Sequence, residues 1–488
     1  MRLPLAGESA TLLIRVRNLL AAAGVRGYLV GGFIRDTLLE KETRDIDIAV
    51  AADALEVSRS VAESLQGKCV VLDASAGVAR VVLPNGTEPG ERRWYLDFST
   101  MPADIQADLQ RRDFTIDAMA INLDDLERDS ADLIDPFHGA EDLNKRLVRA
   151  VSPHIFRDDP VRLIRGVRLA AEYVLAIEAR TEAMLVEDAA LIRQVAGERV
   201  REELCRILLV PNAASYLGYL DRLGLLTAII PELDAMKGVD QPREHYWDVF
   251  QHSLQTVAAF EGMLDPPVGQ ELLSLTPRLR SYLPRLDEEV TGVVTRGTLL
   301  KLAALLHDVA KPKTKFLEPD GRARFYGHTK EGAAMAGEIM QRLRFGNREI
   351  RMVQKMVDAH LRLWQMGGED GIPTRRAIYR YFRDTPDVSI EIMFLTLADF
   401  LATQGPDLVL SDWRQHCSLV EYVLQQQEED VAVVTPPKLI DGHDLIRLFD
   451  LKPGPQIGQL LEAVREAQGA GEIATREQAL DFVRQRLH

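Results

Sequence analysis

The spacing of apolar and polar positions changes character along the chain. Over residues 9–23 the apolar positions Leu12, Val16 and Leu19-Leu20 recur at helical intervals and predict a short amphipathic helix. Tyr28 to Val30 form an apolar run that stops at Gly31-Gly32, and a helix-like segment, Phe33 to Glu40, follows. Asp45-Ile-Asp-Ile-Ala-Val then alternates acid with apolar, the period of a half-buried strand. Asp53 to Leu65 predicts a second amphipathic helix with Asp53 as its N-cap. Three strand-like runs come next, Cys69 to Leu72, Val78 to Leu83 and Trp94 to Phe98, with a hairpin-turn signal, Asn85-Gly86, between the last two. The opening 125 or so residues therefore read as a small α/β domain. From Leu217 onward the pattern is helical almost to the end, broken by Pro266 to Pro284, whose Pro, Gly and Ser content predicts a loop or insertion.

A chain of 488 residues exceeds one ordinary core, and two to four domains are expected. No run reaches the roughly 18 apolar residues of a membrane span, and the first residues lack the apolar centre of a signal peptide. The cysteines Cys69, Cys205 and Cys417 are too dispersed for a disulfide framework or a zinc pattern. A cytoplasmic protein with no membrane partner is the expectation. The net charge of −15 argues against a protein that coats nucleic acid indiscriminately. One stretch runs the other way: residues 145–168 hold seven Lys/Arg against two acids, either a solvated helix face or an RNA-facing one.

Candidate chemistry begins in the alternating strand. Residues two apart on a strand share a face, so Asp45 and Asp47 present two carboxylates together. Such a pair repels unless a cation lies between, and Mg²⁺ suits one or two carboxylates plus substrate phosphates. Gly31-Gly32 before a helix lets backbone N–H groups approach a phosphate chain, with Arg35 and Asp36 one turn on. Asp97, on the last strand-like run, either completes a carboxylate triad or is a charged edge-strand residue. Further along, Pro160 fits a first helical position and Asp159 its N-cap. Arg162, Arg165 and Arg168 then recur every third residue; on one broad face they repel unless they meet anions. In the helical half, His252, His307-Asp308, His328, His360 and Asp399 are imidazoles and carboxylates of the kind that hold divalent transition metals such as Ni²⁺, Co²⁺ or Mn²⁺ and activate water against a phosphoester.

In this order and spacing, Gly31-Gly32-Phe-Ile-Arg35-Asp36…Asp45-x-Asp47 resembles the opening motif of bacterial tRNA nucleotidyltransferases and poly(A) polymerases. Arg111-Arg112-Asp113-Phe-Thr-Ile-Asp117-Ala resembles the second motif of that family, with Asp117 where Asn is usual. Asp135-Pro136-Phe-His-Gly139-Ala-Glu-Asp142-Leu resembles the hinge between its head and neck. Asp158-Asp159-Pro-Val-Arg162 resembles its Glu-Asp-x-x-Arg base-reading motif, with Asp158 replacing Glu, and Glu198-Arg-Val-Arg-Glu-Glu-Leu resembles the neck motif. The order His…His-Asp…His…His…Asp is similar to that of HD phosphohydrolases, a domain several of these enzymes carry.

The resemblance implies an α+β protein: a nucleotidyltransferase head with a mixed sheet over 1–140, an all-α neck with the base-reading helix over 141–235, an HD domain over 236–410 and a helical tail over 411–488. It implies template-independent addition of C and/or A from CTP and ATP to the 3′ end of tRNA. Asp45, Asp47 and Arg112 would be catalytic, with Mg²⁺ on the two aspartates. Gly31, Gly32, Arg35 and Arg112 would hold the triphosphate; Asp159, Arg162, Arg165 and Arg168 would position the base. The 13 residues between Asp97 and Arg111 are short for the flexible loop with which full CCA-adding enzymes switch from C to A. Poly(A) polymerase or a partial, CC- or A-adding enzyme shares the scaffold. An HD metal phosphohydrolase whose head only binds RNA is the reading of another class. The tail, with Gly458 and helices Gln459 to Glu466 and Arg476 to Leu487, is expected to bind the tRNA elbow or to dock on the HD domain.

Overall fold

The computed structural model describes residues 7–84, 93–126, 132–242, 246–367, 371–429 and 437–487. The Asn85-Gly86 turn lies outside them. The chain divides into two compact units, Met1–Val195 with Leu223–Leu225, and Ala196–Arg222 with Leu226–His488.

The first unit is built on a seven-stranded sheet in the order β3-β4-β5-β2-β1-β6-β7. Its strands are β1 (Gly27–Val30), β2 (Asp45–Val50), β3 (Lys68–Asp73), β4 (Val78–Val82), β5 (Tyr95–Thr100), β6 (Ala120–Asn122) and β7 (Leu133–Ile134). Only β2 and β5 pair in parallel; the other neighbours are antiparallel. The period of two read from the sequence holds. Ile46 and Ile48 are buried in a core shared with Leu13, Val16, Leu29, Phe33, Leu96 and Phe98. Helices α1 (Gly7–Ala22) and α3 (Ala54–Ser64) supply part of that core. Asp53 caps α3 as expected, its carboxylate accepting the Leu55 N–H at 2.8 Å.

Helix α2 (Gly32–Leu38) leaves the end of β1 at Gly31. Short helices α4 (Ile105–Gln110), α5 (Gly139–Asn144) and α6 (Ile155–Asp158) precede the longer α7 (Arg162–Tyr173). The segment expected to hinge head and neck carries a dense set of hydrogen bonds. Asp135 accepts the Gly139 and Ala140 N–H groups at 2.7 and 3.0 Å, satisfying the first turn of α5. Buried Asp142 accepts from Thr115 Oγ1 at 2.7 Å and Arg149 Nε at 2.9 Å. At Gly139 a Cβ would lie 2.0 Å from the Thr115 carbonyl oxygen, so only glycine permits this approach. The helix α7 belongs to the same compact unit as the sheet.

The second unit is helical, with two corrections to the sequence reading. Residues 266–287 are not a loop: they form short helical turns, Pro266–Leu272, Leu273–Leu275, Pro277–Ser281 and Leu283–Asp287. Their prolines sit at the first helical positions, where the missing N–H costs nothing. Two small hairpins, Glu289–Thr291 with Val294–Thr295 and Lys315–Leu317 with Ala323–Phe325, interrupt the helical run. The tail has its own core of Ile440, Leu445, Leu460, Val464, Ala467, Ile473, Ala479 and Val483. It docks on helix Arg375–Asp384 through charge: Arg376 to Glu472 at 2.7 Å, Arg380 to Glu466 at 2.5 Å and Arg383 to Glu462 at 2.8 Å. Among the described residues no single helix is long and apolar enough to cross a membrane.

Candidate functional site

Strand register brings the head carboxylates together. Asp47 faces Val30 across β1 and Asp97 across β5. Asp45 is exposed and Asp47 half-buried. Asp97 is not on an edge strand; β4 flanks it, and Arg80 from β4 grips it bidentately at 2.7 and 2.7 Å. That fork neutralises one carboxylate and fixes its plane. Burial pushes the Asp47 carboxyl up to about 6; the Arg112 guanidinium opposes this, while Asp97, Asp117 and Asp45 add to it. Negative charge is in surplus here.

Gly31 closes one side of this cluster. Its φ is +69°, and a Cβ would lie 2.8 Å from Arg112 Nη1 and 3.0 Å from Asp47 Oδ2. Gly32 begins α2, with a Cβ position 3.1 Å from Arg35 Nη2. Arg112 is steered by Asp108, which lies almost fully buried and accepts from its Nε at 3.2 Å and Nη2 at 3.0 Å. Arg111 reaches the other oxygen of Asp108 at 2.7 Å. Asp108 was not singled out in the sequence; its place one helical turn before an Arg-Arg pair was the available signal.

Arg35, one turn into α2, is enclosed by its own partners. Its guanidinium is buried and bonds Asp36 at 2.9 Å, Asp117 at 2.5 Å and the Tyr173 hydroxyl at 2.5 Å. It ties α2 to the turn after Asp113 and to the end of α7. The Asp for Asn difference at 117 thereby gains a cationic partner. Burial drives the Asp117 carboxyl upward and Arg35 opposes it.

The arginine-rich segment also differs in detail. Helix α7 starts at Arg162, so Asp159 is not its N-cap; it follows α6, and its carboxylate lies 3.4 Å from the Val161 N–H. Asp158 is exposed and Asp159 half-buried. Arg162 donates to the Arg111 carbonyl at 2.9 Å and lies 3.4 Å from the Ile155 carbonyl. Arg165 pairs with Asp113 at 3.1 Å, and Arg168 with Glu172 at 2.5 Å. Burial alone would raise the Asp113 carboxyl; Arg165 and Arg162 outweigh it and hold it low. All three arginines are half-buried on one side of α7.

In the second unit the six predicted residues converge. His252 lies on helix Val249–Leu264, His307 ends helix Arg296–Leu306, His328 starts helix His328–Arg342, His360 ends helix Asn347–Ala359 and Asp399 lies on helix Ser389–Gln404. Three overlapping triples, His252-His307-Asp308, His307-His360-Asp399 and Asp308-His328-His360, each bring ligand atoms within 4.8 Å of one another. His252 Nε2 lies 2.9 Å from Asp399 and 3.2 Å from His307 Nε2, which is 3.1 Å from Asp308. The Nδ1 atoms of His307, His328 and His360 each meet a backbone carbonyl, of Ala304, Phe325 and Val357, at 2.7–2.8 Å. This aims every Nε2 inward. Burial holds His360 down at about 4 and lowers His252 and His328; in His307 burial is outweighed by Asp308 and Asp399, which raise it. His328 Nε2 is buried with no hydrogen-bond partner among the described residues. A divalent ion fits this donor set. Buried Lys311, 2.6 Å from Asp308 and 2.6 Å from Gln241 Oε1, was missed by the sequence reading.

Residues 27–149 match the model of the Poly A polymerase head domain, and 278–404 that of the HD domain. Residues 411–483 match a tRNA nucleotidyltransferase domain 2 model. The chain is 33% identical to the A-adding tRNA nucleotidyltransferase of Deinococcus radiodurans over 461 residues, 93% of this chain and 94% of that one. It belongs to the bacterial tRNA nucleotidyltransferase family. The CC-adding tRNA nucleotidyltransferase of Thermus thermophilus is 32% identical, covering 93% and 92% of the two chains. The Thermotoga maritima CCA-adding enzyme complexed with tRNA has the same fold, with a TM-score of 0.58 at 24% identity over 99% of this chain and 97% of that one. The HD match begins after His252, yet His252 is part of the cluster.

Removing the Arg35 guanidinium leaves Asp36 and Asp117 facing each other in a buried place. Arg35→Ala is expected to cost about 3–5 kcal/mol, read as a fall in the urea midpoint. Asp117→Asn keeps a hydrogen-bond acceptor and should lose far less.

Proposed function

We propose that this protein adds C and/or A nucleotides to the 3′ end of tRNA, without a nucleic-acid template, from CTP and ATP. The observation that carries the reading is the meeting of Asp45, Asp47 and Asp97 beside Gly31 and Arg112. Asp45 and Asp47 would hold Mg²⁺, which supplies charge neutralisation for the triphosphate and a lowered pKa for the attacking hydroxyl. The surplus negative charge that raises Asp47 supports that fit. Gly31 keeps the wall beside Asp47 open to a phosphate, and Arg112, oriented by Asp108, offers a cation to it. Arg35 acts as a positioning residue behind them. Asp159, Arg162 and Arg165 offer hydrogen bonds to the base, with Arg168 set behind them along α7.

A CC-only or A-only enzyme is favoured over a full CCA-adding one by a single feature. The connection from β5 to α4 is four residues, Met101–Asp104, with no room for a long switching loop. Transcripts ending before C, before CC and before A, offered with labelled CTP and ATP, decide which nucleotides are added.

The second centre is assigned to phosphoester hydrolysis, on 2′,3′-cyclic phosphates or related RNA ends. His252, His307, Asp308, His328, His360 and Asp399 would hold a transition-metal ion such as Ni²⁺, Co²⁺ or Mn²⁺, which polarises the phosphoester and activates water. The inward Nε2 atoms support this assignment. Lys311 holds Asp308 in place.

Asp47→Ala should lower nucleotide addition by about three or more decades while the protein stays folded; extension at the parent rate would rule out the head assignment. Arg162→Ala should slow addition and raise UTP misincorporation, because a hydrogen-bonding site loses discrimination with its partner. Unchanged selectivity with lower stability would reduce Arg162 to a structural donor to Arg111. Asp308→Ala should remove bound transition metal, read by elemental analysis, and cyclic-phosphate hydrolysis, while tRNA extension persists.

A further inference from the structure

Helix Leu410–Glu429 turns one side, Gln415, Ser418, Leu419 and Tyr422, into a cavity of about 600 Å³ whose other wall includes Trp364 and Ile372. Trp364 is 46% exposed. It stacks on the His416 ring at 3.8 Å and 8°, and His416 stacks on Phe400 at 3.8 Å and 28°. Both ends of this aromatic column are joined to the metal-ligand cluster by the chain. Phe400 follows Asp399 directly, and Trp364 lies one helical turn beyond His360. The indole at one end of the column lines the cavity.

We propose that this cavity is the nucleobase subsite of the second centre, taking the base of a nucleoside 2′,3′-cyclic phosphate whose phosphate lies at the histidine–aspartate cluster. The proposal rests on the reading of that centre as a phosphohydrolase. The volume is in the range of small-ligand sites. A flat, rigid indole backed by two further rings is a stacking platform for a base. Gln415 offers an amide, and Ser418 and Tyr422 offer hydroxyls, for the edge of that base. Among the described residues its lining carries no charged side chain, which suits a neutral heterocycle better than a phosphate. In the reaction, water adds its oxygen to phosphorus, one ring P–O bond breaks, and the freed ribose oxygen takes the proton.

The test compares 2′,3′-cyclic AMP with glycerol 1,2-cyclic phosphate, the same strained ring without a base, in the full-length protein loaded with Ni²⁺. Trp364→Ala should raise KM for cyclic AMP about tenfold, within the range of one base–aromatic stack, with kcat little changed. Turnover of the glycerol compound should stay within about twofold, and Trp364→Phe should restore KM. An oligonucleotide ending in a 2′,3′-cyclic phosphate, run in parallel, tells a free nucleotide from an RNA end by which shows the lower KM. Equal losses on both cyclic phosphates would overturn the base subsite. Failure of the parent protein to hydrolyse either would overturn the hydrolase reading instead. Tryptophan quenching by adenosine 3′-monophosphate then still decides the cavity: it is expected in the parent and absent in Trp364→Ala, and its absence from the parent overturns the proposal.

Discussion

Carboxylates crowded on one side of a small sheet are the constraint around which the head is built. Parallel pairing of β2 with β5 sets Asp47 beside Asp97, and the turn after Asp113 adds Asp117. Like charges this close cannot all ionise unaided. Each supporting carboxylate has a cation from a separate element: Asp97 has Arg80 of β4, Asp117 has Arg35 of α2, and Asp113 has Arg165 of α7. Arg112 is drawn to the same place and held there by Asp108. Each pair fixes an element of the unit, so electrostatics and packing enforce one geometry. Asp45 and Asp47 lie on β2 beside this arrangement, and Arg112 acts on Asp47.

The second centre solves the same problem without arginine. Its core is histidine, and a neutral imidazole needs its proton fixed on the outer nitrogen before the inner one can accept a metal. Helix ends supply that fixing. His307 and His360 each follow the last turn of a helix, and each bonds a carbonyl three residues back that the helix leaves unsatisfied. His328 uses the carbonyl of Phe325, at the end of a hairpin strand, in the same way. The terminal defect of each element thus becomes the orientation of an imidazole. Asp308, flanked by His307 and Lys311, stays ionised: burial would raise it, and those neighbours hold it far below the usual range.

Much of this was legible in the sequence, and the rest was not for reasons that can be named. The strands around Asp45 and Asp47 were readable because a period of two survives where one face is buried. The six residues of the histidine–aspartate cluster were readable by type and order. Arg80, Asp108, Lys311 and Tyr173 were not, because their work depends on a partner that only the fold brings near. Arg35 was legible as a cation beside a glycine turn, but its enclosure by Asp36, Asp117 and Tyr173 was not, because Asp117 and Tyr173 come from separate places in the chain. Pro266, Pro277 and Pro284 read as loop residues because composition does not tell a helix start from a helix break.

The segment proposed to read the base shows what such a site requires of its scaffold. Discrimination between bases depends on donors that do not move to suit the wrong partner. Arginine is a poor choice for that when free, since its side chain has several rotatable bonds to order. Here the order is supplied beforehand. Arg162 bonds the Arg111 carbonyl and approaches that of Ile155, while Arg165 is pinned by Asp113, itself buried and capping the Phe114 N–H at 2.9 Å. Both anchors come from the Arg-Arg-Asp turn that also delivers Arg112 to the carboxylates. One turn therefore sets the two halves of the site, the part that would hold phosphate and the part that would choose the base. A shift in either is transmitted to the other through backbone rather than through solvent.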